Sequence, residues 1–428
     1  MGRLIYYLLL GVTIGVMAIS AAAQSERVKY VPRVPYPVFE KLDKMADSIK
    51  AIGDSATAAI RDRQKKAKEA EKNNRKELRF DFSEVVKPAS PEAFKSAFYF
   101  PPVAQENSST CWSFSSTSFI ESEIFRLTGR KMKLSEMFTV YHEYILKVTR
   151  FIRERGDSKF GPGSEGNAIL RVMAEYGAVP EEVYPGWTLP DKHHNHGSLE
   201  NEIDAYLDMI KTHNYWDEEQ DLATLKLILD KYLGKPPESF AFEGKTMTPK
   251  EFSRDVVKIN PDDYIIIMST LSKPFYTKAL FDVYDNWWRD SSYYNVPLDE
   301  WYGIFKNAIK QGMTVEIGGD NSEPGYFGPE NAAVIPDFDI PQNYINQDSR
   351  EFRMNNGTTG DDHGLHVVGF AQAGGHDWYL IKDSGSGSRK GKYNGFLFFR
   401  DDYVRLKMMA VLVHKDAARE MLKKFKAK

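Results

Sequence analysis

The sequence predicts an α+β protein in which helices precede strands. Helical patterns dominate from residue 111 to about 260, and short apolar or alternating runs typical of strands follow them. The chain of 428 residues also exceeds the usual size of a single domain. Because the two kinds of element are segregated along the chain, we expect a protein with two lobes.

The first residues predict export. Arg3 supplies a positive charge, residues 4–20 are apolar, and Ala21, Ala22 and Ala23 fit a small-residue cleavage site. An uncleaved membrane anchor is the alternative, because about 17 apolar residues approach a spanning length. The alanine run favours cleavage. We therefore expect a signal peptide over residues 1–23, no stable membrane span after cleavage, and a periplasmic or secreted protein.

Residues 24–79 are predicted to form a linker and a charged helical segment. The stretch up to about residue 40 is rich in proline and valine, and residues 41–78 favour helix. Residues 61–76 are almost all charged, Ala, Gln or Asn, which is typical of a solvated helix or a disordered stalk. A removable pro-segment stays open, although no clear cleavage signal supports one.

A large folded core is predicted over residues 80–428. An extended strand over residues 98–103 leads into a loop at Gln105, and Ser135 and Gly177 supply a helix start and a helix stop. A helical insert covers about 198–260 and contains a capping box at Thr248 and Glu251. The predicted helices of the core cover about 111–127, 135–152, 165–176 and 298–309. The predicted strands cover 264–268, 313–317, 366–370, 378–382, 396–399 and 408–413.

Composition excludes some classes of protein. Hydrophobic residues at 42% are ample for a large core, and a net charge of -3 gives no support for nucleic-acid binding. Cys111 is the only cysteine, so the chain has no internal disulfide. A lone thiol in an oxidising compartment is a liability unless it has a function. The alternative is that Cys111 is a small buried hydrophobe.

The surroundings of Cys111 favour a nucleophile. This residue is predicted to open a helix, where backbone amides favour a thiolate, and Gln105 lies one loop earlier, where its amide could donate to an oxyanion. His366 is predicted to begin a strand and Asp383 to end the next strand, so the two side chains could pair. His363 is the alternative histidine, and the better match of His366 to the strand pattern favours His366.

Several local strings resemble the papain family of cysteine peptidases. They comprise the glutamine followed six residues later by Cys-Trp-Ser-Phe-Ser, residues 366–370 and residues 379–384. Further strings resemble the bleomycin hydrolase and aminopeptidase C branch. These strings occupy residues 134–136, 175–180, 246–252 and 308–312.

The resemblance implies a papain-like two-lobe fold, with a helical lobe, an antiparallel β-barrel-like lobe and a helical insertion. It implies hydrolysis of peptide or protein substrates, with aminopeptidase action as the favoured mode and without a metal or an organic cofactor. It leaves open whether the protein forms a homo-oligomer. The catalytic residues implied are Cys111 as nucleophile, His366 as general acid and base, Asp383 as orienting residue and Gln105 in the oxyanion hole. The substrate-binding residues implied are Trp112, Gly163 and Ser164.

Three residues depart from the family pattern. Asp383 replaces an asparagine, and its charge should raise the pKa of the partner histidine, which predicts a shifted pH profile. A decayed site is the alternative. Gly385 replaces a tryptophan that shields the pair, so we expect the pair to be more exposed to water. Ser164 replaces a glycine in the substrate-binding segment.

The end of the chain bears on specificity. Bleomycin hydrolases carry a C-terminal arm whose carboxylate restricts cutting to N-terminal residues, whereas residues 421–428 form a short basic tail. An endopeptidase with an open cleft is therefore the alternative to an aminopeptidase, and the hexamer of that branch is in doubt. A catalytically silent peptide-binding module is a third hypothesis, which Asp383 and Gly385 support. The presence of Gln105, Cys111, Trp112 and His366 argues against it.

Overall fold

A computed structural model describes residues 29–76, 78–188 and 192–426. The predicted signal peptide lies outside the described residues. The chain forms two units, which divide after residue 77. We describe each unit by itself.

The first unit is a single long helix, α1 (Pro37–Asn74). The helix starts at Pro37, before the predicted residue 41. Proline is tolerated in the first turn of a helix, because the backbone N–H that it lacks would have no partner within the helix there. None of its residues is buried, as the solvated-helix prediction requires. Among the described residues, no helix combines the length and apolar character needed to cross a membrane.

The second unit contains a helical lobe whose helix ends are set by local sequence. Ser135 caps one helix by accepting a hydrogen bond from the Phe138 amide, and Gly129 ends the preceding helix in a left-handed conformation. The third predicted helix starts at Ala168, since residues 165–167 form a turn. The helices of this lobe are α2 (Cys111–Thr128), α3 (Glu136–Arg153) and α4 (Ala168–Tyr176).

The insert is helical, as predicted, and also contains a small hairpin. Its turn residues Glu243 and Gly244 both have positive φ, which suits a tight two-residue turn. The capping box at Thr248 and Glu251 is present. The elements of the insert are α5 (Gly197–His213), α6 (Glu218–Leu233), β2 (Phe240–Phe242), β3 (Lys245–Met247) and α7 (Pro249–Phe252), after which a π-helical turn covers Ser253–Val257.

The sheet lobe is largely antiparallel. Its elements are β1 (Lys95–Ser96), β4 (Tyr264–Met268), β5 (Thr277–Ala279), β6 (Tyr293–Asn295), β7 (Val315–Gly319), β8 (Tyr326–Phe327), β9 (Ala332–Ala333), β10 (His363–Ala373), β11 (His376–Lys382), β12 (Phe396–Arg400) and β13 (Met408–His414). Their order is β5-β6-β4-β13-β7-β10-β11-β12-β9-β8, with β1 paired to β10. Only the β4–β6 and β9–β12 pairs among them are parallel.

The C-terminal half of the chain also contains helices, which lie between and after these strands in the sequence. They are α8 (Leu298–Lys310), α9 (Gln347–Asn355), α10 (Asp401–Lys407) and α11 (Arg419–Lys426). The predicted strand over 98–103 is wrong, because only Lys95 and Ser96 pair with β10. One apolar core lies between the helical lobe and the sheet, and a second lies between the sheet and α8. The helix α2 packs on β10 and β7, so its N-terminus lies beside the start of β10.

Candidate active site

Cys111 is the first residue of α2 and is partly exposed. The loop before it bends sharply, since Glu106 and Ser109 both have positive φ, a conformation that non-glycine residues adopt at a cost of order 1–3 kcal/mol. The hydroxyls of Ser108 and Thr110 lie 2.7 Å apart and hold the loop. The thiol is therefore presented at a helix N-terminus, where the backbone amides favour an anion.

His363, the first residue of β10, lies in hydrogen-bonding contact with Cys111. Its Nε2 atom lies 2.7 Å from Oδ1 of Asp383. Burial alone would lower the pKa of His363, but the Asp383 carboxylate and the Cys111 sulfur raise that pKa well above its usual value. His363 thus lies between Cys111 and Asp383. Nucleophilic catalysis requires this arrangement, in which a base contacts the nucleophile and a third group orients the base.

The prediction that His366 pairs with Asp383 is wrong. His366 is fully buried, and its Nδ1 atom lies 2.8 Å from Oγ of Ser118. Lys382 donates to the same Ser118 oxygen at 2.7 Å. Burial, and then the charge of Lys382, lower the pKa of His366 well below its usual value. His366 is a neutral histidine that packs between α2 and the sheet.

A β-bulge explains the error. The β10–β11 hairpin turns at Gly374 and Gly375, and its register would place residue 366 opposite residue 383 if it ran without interruption. The register shifts by one between Val367 and Gly369, so that His366 faces Lys382. Because neighbouring residues in a strand point to opposite faces, Asp383 points away from His366 and meets His363. An irregularity of this kind carries no clear signature in the sequence.

Asp383 is a buried anion. Burial would raise the pKa of this carboxyl, but the neighbouring His363 and the Gly385 amide hold it below its usual value. The amide of Gly385 donates to Asp383 Oδ1 at 2.8 Å. The side chain of Asp383 is 1% exposed and that of His363 is 14% exposed, so the expectation of a water-exposed pair is wrong. The backbone of residues 383–385 itself provides cover.

Gln105 lies next to the same segment. Its backbone amide donates to the Ser384 carbonyl at 3.0 Å, and its side-chain Oε1 accepts from the Ser384 hydroxyl at 2.7 Å. These bonds fix the side-chain oxygen and leave the Nε2 amide as the donor. Gln105 is thus held beside the segment that carries Asp383, and its place in an oxyanion hole stays a prediction.

The three residues predicted to bind substrate divide into two groups. Trp112 is 2% exposed, and its Nε1 atom donates to the Pro162 carbonyl at 2.9 Å. Ser164 is buried and donates to Glu143 at 2.6 Å. Both side chains support the segment from inside. Only Gly163 is partly exposed, and its backbone faces the Asp285 carboxylate.

Comparisons with known proteins bear on the fold and on the family. The structure of PepW from Lactobacillus rhamnosis superposes with a TM-score of 0.65 and 18% identity, covering 92% of this chain and 96% of that chain. This similarity concerns the fold. A chain from a study of the mite allergens Blo t 1 and Der p 1 reaches a TM-score of 0.36 and 14% identity, covering 80% of this chain and 71% of that chain, which is too low to support a comparison.

The family assignment comes from sequence. A search of curated proteins found no match to this chain. The sequence profile of the Peptidase C1-like family matches residues 163–428, which is more than half of the chain. That match includes the segment of His363 and Asp383, and the papain-like fold expected from the sequence is confirmed. The chain belongs to the Peptidase C1-like family and is a papain-like cysteine peptidase.

Proposed function

We propose that Cys111 and His363 carry out peptide hydrolysis, with aminopeptidase action as the favoured mode. The single observation that carries this proposal is the contact of His363 with both Cys111 and Asp383. The Cys111 thiolate attacks the peptide carbonyl and the His363 imidazolium protonates the leaving amine. Neutral His363 then removes a proton from water, which hydrolyses the acyl-enzyme.

Two residues assist this sequence of steps. Asp383 holds the imidazole in one orientation and favours its protonated form. The Gln105 amide and the Cys111 backbone amide donate to the oxyanion that forms on the carbonyl. Since oxyanion donors serve bond breaking and not peptide binding, the position of Gln105 favours an enzyme over a silent binding module.

Aminopeptidase action is supported by the strings that resemble the bleomycin hydrolase branch. Endopeptidase action stays the second candidate, because the described tail follows a different course from an arm in the cleft. Phe425 of α11 packs on the ring of Tyr294 at 4.8 Å, and Lys424 pairs with Glu300 at 2.9 Å. These contacts hold the tail against α8 and β6.

Free and N-acetylated forms of one peptide distinguish these functions. The purified chain is incubated with each form in a reducing buffer, beside Cys111→Ala, which removes the only thiol. Stepwise cleavage of the free form alone, lost in the variant, supports an aminopeptidase. Cleavage of both forms supports an endopeptidase. No cleavage of either form over about pH 5 to 9 contradicts the peptidase proposal and favours the binding module.

Export is a separate part of the proposal and rests on residues 1–23. Sequencing the N-terminus of the mature protein from a fractionated culture tests it. A new terminus at Gln24 in the exported fraction supports signal cleavage. Retention of Met1 in the membrane fraction would favour the uncleaved anchor instead.

A further inference from the structure

Four carboxyl groups gather beside the proposed catalytic residues, although they are scattered along the sequence. We name them the acidic subsite: Glu165, Asp285, Glu316 and Asp361. Glu165 and Asp361 lie close enough for each carboxyl to influence the pKa of the other. Glu316 accepts from the Ser115 hydroxyl of α2 at 3.1 Å. The subsite therefore adjoins the helix that begins with Cys111.

Glycines make room for these carboxyl groups. A methyl group on Gly163 would overlap Asp285, and one on Gly166 would overlap Glu316. On Gly364, which follows His363, it would lie 3.1 Å from Trp112 Cα and 3.3 Å from Glu316 Oε1. None of these three glycines has a positive φ. Glycine is thus needed here for space, which brings the carboxyl groups close to the substrate backbone at Gly163.

Charge compensation at the acidic subsite is incomplete. Lys147 near Asp285 and His363 near Asp361 each oppose the rise in pKa of the neighbouring carboxyl, whereas Glu165 forms no ion pair among the described residues. Glu165 is 4% exposed, and its Oε1 atom has no hydrogen-bond donor. Its Oε2 atom accepts only a 3.2 Å bond from the Tyr293 hydroxyl. Lys147 donates to the carbonyls of Gly161 and Gly163. A buried acid without a donor is costly unless it is protonated or meets a cation.

Burial and mutual proximity favour the protonated forms of these carboxyl groups. Burial raises the pKa of Glu316 to about 8 and that of Asp361 to about 7. Burial, and then the neighbouring Asp361, raise the pKa of Glu165 well above its usual value. These shifts reflect crowded, buried carboxyl groups, and a cation placed among them would favour their ionised forms.

A cavity continues from Asp361. It has a volume of about 540 Å³, and its walls include Met268, Val283, Met354 and Met409. The lining also includes Thr270, Asp282 and Glu351, and apolar side chains interspersed with carboxylates suit a long apolar stem with a charged end. A lysine or arginine side chain has this character, and a peptide N-terminal amine shares the charge but not the stem.

We propose that Glu165, Asp361, Glu316 and Asp285 bind a cationic group of the substrate peptide, on the acyl side of the cleaved bond. The basic side chain of lysine or arginine fits the adjoining cavity best, and the N-terminal amine is the other source of the same charge. This inference rests on the proposed peptidase function and names the substrate class of that site.

Matched peptides test the subsite. Each of the two residues before the cleaved bond is made lysine or norleucine in turn, and every peptide is prepared free and N-acetylated. We expect kcat/KM to be about tenfold higher for lysine at one position, the scale of one charged hydrogen bond. In Glu165→Gln and Asp361→Asn this ratio should fall toward one. Asp337→Asn, at an exposed carboxylate, is the matched charge control.

The outcomes distinguish the two sources of the positive charge and test whether the acidic subsite binds either of them. A lysine preference in acetylated peptides supports the side-chain source, and a preference for free peptides that the same variants abolish supports the N-terminal source. Equal cleavage of all peptides by wild type overturns the subsite and leaves the peptidase function standing. If wild type cleaves none, calorimetry on Cys111→Ala compares lysine and norleucine peptides, and equal binding overturns the subsite. Circular dichroism verifies folding, and Glu316→Gln serves if another variant is unfolded.

Discussion

The charge of Asp383 sets the properties of His363. A family asparagine would orient the imidazole without charge, whereas a buried carboxylate also stabilises the imidazolium. The sequence predicted this effect for the wrong histidine, and the structure shows that the recipient is His363. The consequence is a protonated histidine that persists to higher pH beside Cys111.

Replacement of Asp383 by Asn should therefore shift the alkaline limb of the pH profile. The Asp383 carboxylate raises the pKa of His363, so its removal lowers that pKa and the imidazolium is lost at lower pH. We expect the alkaline limb of kcat/KM to move to lower pH, while activity remains. Asp337→Asn is the control. An unchanged limb would show that Asp383 only orients the ring.

The packing of α2 on β10 fixes the distance between thiol and histidine. Small side chains face the sheet: Ser115 contacts Glu316, and Ser118 contacts His366. Gly364 permits the closest approach, since a methyl group there would lie 2.8 Å from Ser115 Oγ. Displacement of one element from the other would separate the reacting groups.

The variant Gly364→Ala tests this packing. The added methyl group must push α2 away from β10, because overpacking of a tight contact costs about 1–3 kcal/mol. We expect Gly364→Ala to have a lower melting temperature. We also expect it to lose more activity than its unfolded fraction accounts for. Gly303→Ala, where a methyl group meets nothing within 4 Å, is the matched control. Equal behaviour of the two variants would contradict the packing argument.

Elements with strong local signals were predictable from the sequence. The capped helix at Ser135, the capping box at Thr248 and the strand Tyr264–Met268 match their predictions. The β2–β3 hairpin was missed because three-residue strands carry little periodicity. The choice between His363 and His366 depended on a bulge, and a one-residue shift of register changes which face a side chain occupies.

Some features emerge only from the folded chain as a whole. Glu165, Asp285, Glu316 and Asp361 come from separate parts of the sequence, and each alone is an unremarkable acid. Folding buries Glu316 between α2 and the sheet and raises its pKa to about 8. The native state therefore retains a proton that the unfolded state releases above its usual pKa of 4.5.

This proton gives the stability of the molecule a defined pH dependence. Because the unfolded state binds fewer protons between pH 4.5 and about 8, the contribution of Glu316 to stability falls as pH rises through that window. Glu316→Gln removes this contribution. Denaturant unfolding at about pH 5 and about pH 8 should show wild type losing stability relative to the variant. A difference that stays constant with pH would contradict a buried, protonated Glu316.

His363, and not His366, partners Cys111, and alkylation of the only thiol in the sequence distinguishes the two histidines. We would measure the rate of iodoacetamide modification below about pH 7 in wild type, His363→Gln and His366→Gln, because the thiolate is the reacting species. Circular dichroism would verify that both variants fold. We expect slow modification and a loss of about a thousandfold or more in peptide hydrolysis for His363→Gln alone. Slow modification in His366→Gln, with His363→Gln like wild type, would contradict this expectation.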